Sequence, residues 1–192
     1  MRLGIEVILL LVAGIIAYAT LTIYEPLLAE ASTFYLLLAV SCTLAIILLE
    51  HSFPVDKPNM WIIEAAAWSF INMMLVATIF SFTYRVFTII SYAYVMIAFG
   101  GLYYLLAALG EDLMTYGLPL ALEKRTPIGK GIYLVFLGLF AGLHYPAYKS
   151  LHMLLQPFVA ACINMYIVKK YRNVAGVVIG HFLTDLCLVS VI

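Results

Sequence analysis

Apolar runs separated by short polar or proline-bearing connections set the plan of this chain. They predict membrane-length helices at about Ile5 to Tyr24, Thr33 to Leu49 and Met60 to Phe82. Glu25-Pro26 is expected to stop the first helix. Pro54 and Pro58, within the polar stretch from Glu50, forbid helix between the second and third. From Arg85 to Leu122 no charge appears until Glu111. As one helix that stretch would measure roughly 55 Å, against a hydrocarbon core of about 30 Å. Gly100-Gly101 is the natural break. It divides the stretch into a short helix, Val86 to Phe99, and a motif helix, Leu102 to Leu122.

A surface loop, Glu123-Lys124-Arg125-Thr126-Pro127, follows. Three more helices are expected. One spans about Gly131 to Tyr145 and is ended by Pro146. The next spans about Leu151 to Val168 and is closed by Lys169-Lys170-Tyr171-Arg172. The last spans about Val174 to Ile192. The predicted fold is all-α, a polytopic transmembrane helix bundle of seven or eight helices with a polar cavity at membrane depth. Seven is the count if Gly100-Gly101 only kinks one tilted helix. The two counts give opposite orientations by the distribution of basic residues, so orientation stays open. A single transmembrane domain, 1–192, is expected, with N-terminal helices in 1–100 and motif-bearing core helices in 101–192.

Composition supports the membrane reading. Of 192 residues, 66% are hydrophobic and 10% charged, with a mean hydropathy of +1.09. No soluble domain of this size hides so much apolar surface. The lipid bilayer is therefore the first partner. A formal net charge of zero suggests no nucleic-acid partner. Arg2, the apolar run after it and Ala17-Tyr18-Ala19 imitate a signal peptide, but the run is about long enough to span and is read as the first helix. Cys42, Cys162 and Cys187 all lie in apolar runs and are read as free buried thiols.

Against this background Glu111 and Asp112 stand out. Ionisable residues at bilayer depth are costly and point to function. Two further polar motifs lie at membrane depth, Phe140 to His144 and His181 to Asp185, each with i to i+4 spacing that puts its two ends on one helix face. Glu111 lies roughly 18 Å from the Glu123 loop at helical rise, and His144 roughly 20 Å beyond Lys130. His181 and Asp185 lie roughly 13 and 20 Å beyond Arg172. The two reference loops are two crossings apart and share a side, so these groups reach similar depth. Gly138/Gly142 and Gly176/Gly180 are Gly-x-x-x-Gly pairs, expected to pack the histidine-bearing helices tightly against neighbours. Glu64, Asn72 and Asn164 read as interhelical hydrogen bonders, His51 and His152 as interfacial or loop histidines, and Trp61, Tyr84 and Tyr171 as interface-belt aromatics.

At these motifs the chain resembles the CPBP family of intramembrane CAAX proteases and bacteriocin-processing or immunity proteins, also called Abi. That family's pattern is Glu-Glu-x-x-x-Arg, Phe-x-x-x-His and His-x-x-x-Asn or Asp on separate helices. Here the elements are Glu111-Asp112 to Tyr116, Phe140 to His144, and His181 to Asp185, covering roughly the second half of the chain. The resemblance implies an intramembrane glutamic endopeptidase acting on a peptide or prenylated protein substrate, with no cofactor and no metal. It assigns Glu111 as general base, His144 as the residue that orients or shares the water's proton, and His181 with Asp185 as the oxyanion site. Asp112, Tyr116 and Phe140 are supporting residues. Asp112 replaces the second glutamate and Tyr116 the arginine, so a phenol stands where a cation usually would. A glutamate shielded from water suits a base working near neutrality, and preset donors in a dry site suit an oxyanion.

Other classes stay open. Glu, His, His and Asp also form a respectable zinc or manganese set, although no His-Glu-x-x-His helix is present. The altered first motif also suits an inactive homologue that binds membrane peptides, as an immunity or scaffolding protein. A small transporter or proton relay would use buried Glu and His as well.

Overall fold

The computed structural model describes residues 26–50, 59–84, 88–90, 101–123, 127–148 and 150–190. The predicted first helix, Arg85, the Gly100 break and most of the loop after Glu50 lie outside them. The described part is helical except for one pair of short strands. The elements are α1 (Pro26–Glu50), α2 (Asn59–Tyr84), β1 (Thr88–Ile90), α3 (Gly101–Asp112), a π-helical turn (Leu113–Gly117) and α4 (Leu118–Leu122). They continue with a 3-10 turn (Gly129–Gly131), α5 (Ile132–Leu143), α6 (Tyr145–Tyr148) and a second 3-10 turn (His152–Leu154). The chain then forms α7 (Leu155–Tyr171), α8 (Val174–Cys187) and β2 (Leu188–Ser190).

Four boundaries differ from the predicted ones. Pro26 begins a helix; it lacks an N–H, and the first helical turn has no intrahelical partner for one. The helix expected over Val86 to Phe99 is replaced at Thr88–Ile90 by a strand. The last helix stops at Cys187 because the following residues pair with that strand. The pairing is antiparallel, Thr88 with Ser190, Ile89 with Val189 and Ile90 with Leu188. Threonine, valine and isoleucine favour strands, and the partner lies too far along the chain for local pattern to reveal it. Pro146 does not end its helix either. The break falls at His144, and α6 follows it.

Among the described residues, three helices contain spans long and apolar enough to cross a membrane, Ser32–Leu49, Met60–Phe80 and Gly101–Leu122. Gly129–Leu143 and Val174–Cys187 are shorter apolar helical stretches. The three spans are 22%, 33% and 67% buried in chain order. The third is therefore the central helix. The first two present most of their apolar side chains outward, including Leu37, Leu48 and Ile63, as a lipid-facing surface requires.

Small residues set the packing around α8. A Cβ added at Gly176 would lie 2.6 Å from the Ala65 Cβ and 2.7 Å from the Ile62 carbonyl oxygen. One added at Gly180 would lie 2.5 Å from the Ala66 carbonyl oxygen. Helices α2 and α8 thus meet backbone to backbone, as that glycine pair predicts. The other pair behaves differently. Nothing among the described residues lies within 4 Å of a Cβ at Gly138 or Gly142, and both glycines are exposed. The expected tight seam on α5 is not formed by the described helices.

Polar bonds tie α2 to α7. Asn72 Nδ2 donates to Asn164 Oδ1 at 2.8 Å and to the Ala160 carbonyl at 3.0 Å. Glu64, by contrast, is exposed on α2. The α7–α8 turn is tight: Arg172 takes the left-handed conformation (φ 48°), and Asn173 Oδ1 caps α8 by accepting the Gly176 N–H at 2.9 Å. At the same end, Tyr133 donates to Glu123, Lys169 lies 3.5 Å from the Tyr133 ring centre, and Trp61 packs on Tyr171. The connections after α4 and α7 therefore share one end, as the spacing predicts. His152 is exposed and bonds Ser150, which fits a surface histidine.

Candidate active site

The site grows from the end of α3. Pro119 lacks an N–H and its ring would clash with the carbonyl four residues back, at Thr115. The helix widens to a π turn just there, with the Leu118 N–H bonded to the Leu113 carbonyl. This turn follows directly on Glu111 and Asp112 and carries Tyr116; all three side chains are buried.

From α8, His181 meets both acids. Its Nδ1 lies 3.1 Å from Asp112 Oδ1, and its Nε2 lies 3.8 Å from Glu111 Oε2 and 3.6 Å from Asp185 Oδ2. Only the first is a hydrogen bond; the others are charge contacts beyond bonding distance. One imidazole thus gathers three carboxylates, with His181 and Asp112 buried and Asp185 partly open. An imidazole with a proton on each nitrogen is cationic, the one form in which His181 neutralises part of this acidic cluster.

His144 sits at the break between α5 and α6, half-buried. Its Nδ1 lies 2.9 Å from the Phe140 carbonyl oxygen. A carbonyl only accepts, so Nδ1 carries the proton, and in the neutral ring Nε2 is an acceptor. Phe140 packs edge-on against His144 and His181, with centroids 4.7 and 6.3 Å away, and Tyr148 stacks on His144. Phe140 therefore spaces the two histidines. A pocket of about 120 Å³ is lined by Tyr116, Phe140, His144, Asn164, His181 and Asp185, among others. The structure brings His144, His181 and Asp185 to one pocket. It groups Glu111 with His181 rather than directly with His144.

Tyr116 does not do an arginine's work. Its side chain lies against Asn164 at the pocket wall, while Asp112 Oδ2 is buried with no hydrogen-bond partner among the described residues. The neutral substitute has turned to α7, and half of the second carboxylate is left without a donor.

Several contributors were not singled out in the sequence. Tyr35 on α1 packs edge-on against Tyr103, 5.7 Å between ring centroids, and its carbonyl oxygen would stand 2.9 Å from a Cβ at Gly110, the residue before Glu111. Tyr148 lines the pocket. Tyr103 precedes Glu111 by two helical turns, so its shared face was a readable signal. Tyr35 carried none, because its helix meets α3 only in three dimensions. No group of three or more His, Cys, Asp or Glu side chains among the described residues is arranged to hold a metal ion.

A family model described as type II CAAX prenyl endopeptidase Rce1-like matches residues 93–187. That segment includes all three motifs and excludes α1 and α2. Comparisons with curated proteins and with solved structures give no match.

Proposed function

We propose, for a chain whose residues 93–187 match the family model described as type II CAAX prenyl endopeptidase Rce1-like, a multi-pass intramembrane endopeptidase. It hydrolyses a peptide bond of a prenylated or membrane-associated substrate. The observation that carries this reading is the convergence on His181 of Glu111, Asp112 and Asp185, at 3.1 to 3.8 Å.

In the proposed reaction Glu111 is the general base. It takes a proton from a water as the water oxygen attacks the scissile carbonyl carbon. His181, held by Asp112 at Nδ1, presents Nε2–H to the developing oxyanion, and a protonated Asp185 adds a second donor. His144, an acceptor at Nε2, takes the remaining water-derived proton from the adduct's hydroxyl and passes it to the leaving amine, while Glu111 returns its own proton to solvent water. The carbon–nitrogen bond then breaks, giving a carboxylate and an amine. No step uses a metal or cofactor. Phe140 supports this scheme by holding both rings.

The test is cleavage of a prenylated C-terminal peptide by purified protein in liposomes, followed by mass spectrometry. Glu111→Ala and His144→Ala are expected to reduce cleavage to background. Full activity in both variants overturns the proposal. Chelator-sensitive cleavage that a stoichiometric metal restores would favour the metalloprotease alternative.

A second reading is an inactive family member that binds membrane peptides. Its support is specific: Asp112 Oδ2 lacks a partner where the family places an arginine. Peptide binding without cleavage, unchanged by His144→Ala, is the outcome that selects it.

A further inference from the structure

We infer that the lipid-facing groove between α2 and α7 is a binding site for one anionic phospholipid, with its phosphate at Lys170 and an acyl chain along the groove. The inference is independent of the proposed proteolysis.

The groove has a volume of about 330 Å³. Trp68, Ile71 and Leu75 of α2 form one wall, and Ile163, Tyr166 and Lys170 of α7 form the other. Spacings of three and four residues put each set on one helix face. All six residues are exposed, so the walls stand open. Asn72 also lines the groove, but it is buried and its Nδ2 donates to Asn164 and to the Ala160 carbonyl. Lys170 is the one charged lining residue among those described. The groove is therefore an apolar trough with its charge at one end. From Lys170 to Ile163 it runs seven residues inward, roughly 10 Å at helical rise.

That end of α7 carries two adjacent lysines with different surroundings. Lys169 lies 3.5 Å from the Tyr133 ring centre, towards α5. Lys170 lies 5.0 Å from the Tyr171 ring centre, at the groove. No carboxylate stands within ion-pair distance of Lys170 among the described residues. An aromatic ring leaves the net charge in place, so the groove ends in an uncompensated cation. Tyr166, one turn earlier on the same face, adds a phenolic donor. A cation and a donor at the end of an apolar trough complement a phosphate ester that carries an acyl chain. An uncharged chain would leave Lys170 unused. The lipid bridges the helix pair that the Asn72–Asn164 bond joins, and Asn164 also lines the pocket that holds His144 and His181.

The test uses the full chain in phosphatidylcholine bilayers. Trp61→Phe leaves Trp68 as the single tryptophan. Its fluorescence is quenched with a small fraction of lipid brominated on the acyl chains, either phosphatidylglycerol or phosphatidylcholine. Phosphatidylglycerol is expected to quench with about fivefold higher apparent affinity, the scale of one lysine at an anionic surface. Lys170→Gln is expected to level the two lipids, whereas Lys170→Arg and Lys169→Gln keep the preference. Equal quenching by both lipids in the chain that retains Lys170 overturns the inference. So does an equal loss of preference in Lys169→Gln and Lys170→Gln, which would make the attraction diffuse. Relief of quenching by a free prenyl alcohol, undiminished in Lys170→Gln, gives the groove to a prenyl chain and overturns it as well. If Trp61→Phe does not fold, native mass spectrometry of the chain with both tryptophans reads the same preference, and no difference between the lipids overturns the site.

Discussion

The Nδ1 of His181 lies 3.1 Å from the Oδ1 of Asp112, a bond between buried side chains 69 positions apart. It is shorter than the contact His181 makes with Glu111. Asp112, a supporting residue by its motif position, is thus the acid that fixes the imidazole. Hydrogen bonds to charged groups contribute about 1.5–3 kcal/mol. Asp112→Asn is expected to lower kcat by about ten- to a hundredfold with a small change in KM, as steady-state cleavage assays will read. Unchanged kcat would remove Asp112 from the mechanism.

Asp185 occupies the position where the family pattern allows Asn or Asp. If it serves as a donor, Asp185→Asn keeps cleavage within a few-fold, since an amide donates without needing a proton. Asp185→Ala is expected to lose about a hundredfold, the usual scale for an oxyanion donor. Equal rates in the two variants would assign Asp185 no donor role.

Tyr116→Phe removes the phenol beside the buried Asn164 amide, whose Oδ1 still accepts from Asn72. Leaving the amide's N–H end without a buried partner costs about 1–3 kcal/mol. A lower unfolding midpoint in detergent is the expected result. Unaltered stability would mean that Asn164 finds another partner.

The two glycine pairs give a matched comparison. Gly180→Ala puts a methyl into the backbone of α2 and is expected to destabilise by about 1–3 kcal/mol, read by thermal unfolding. Gly138→Ala and Gly142→Ala enter open space and are expected to be neutral or slightly stabilising through helix propensity, by up to about 1 kcal/mol. Equal destabilisation at Gly138 and Gly180 would contradict the packing described.

The bond from Asn72 to Asn164 is measurable by a double-mutant cycle with leucine at each position. Coupling of about 0.6 kcal/mol is typical of such bonds in a bilayer. A coupling near zero would make the pair incidental.

Much of this arrangement was legible along the chain. Membrane-length apolar runs marked the central helix and its ends to within a residue or two. The i to i+4 spacing of His181 and Asp185 anticipated their shared face. The common end of the Glu123 and Lys169 connections followed from crossing parity. The rest depends on contacts that no local pattern encodes. Thr88–Ile90 read as helix because its strand partner lies a hundred residues on. Gly138 and Gly142 matched a packing motif, yet whether a neighbour arrives is decided by the bundle. Tyr35 looked like one more aromatic in an apolar run until Gly110 allowed the helices to touch. The π turn came from Pro119 acting on a carbonyl behind it, which period counting does not register.

Those glycines also give the bundle one sealed helix face and one open one. The sealed face is the α2–α8 seam, where one added methyl would overlap main-chain atoms, so no acyl chain or peptide threads between these helices. The open face is the Gly138–Gly142 side of α5, uncovered among the described residues, while Phe140 and His144, two residues on and about 200° round the helix, turn the other way to form part of the pocket wall. One helix thus offers the pocket its aromatic rings and presents a strip of bare backbone on its opposite side.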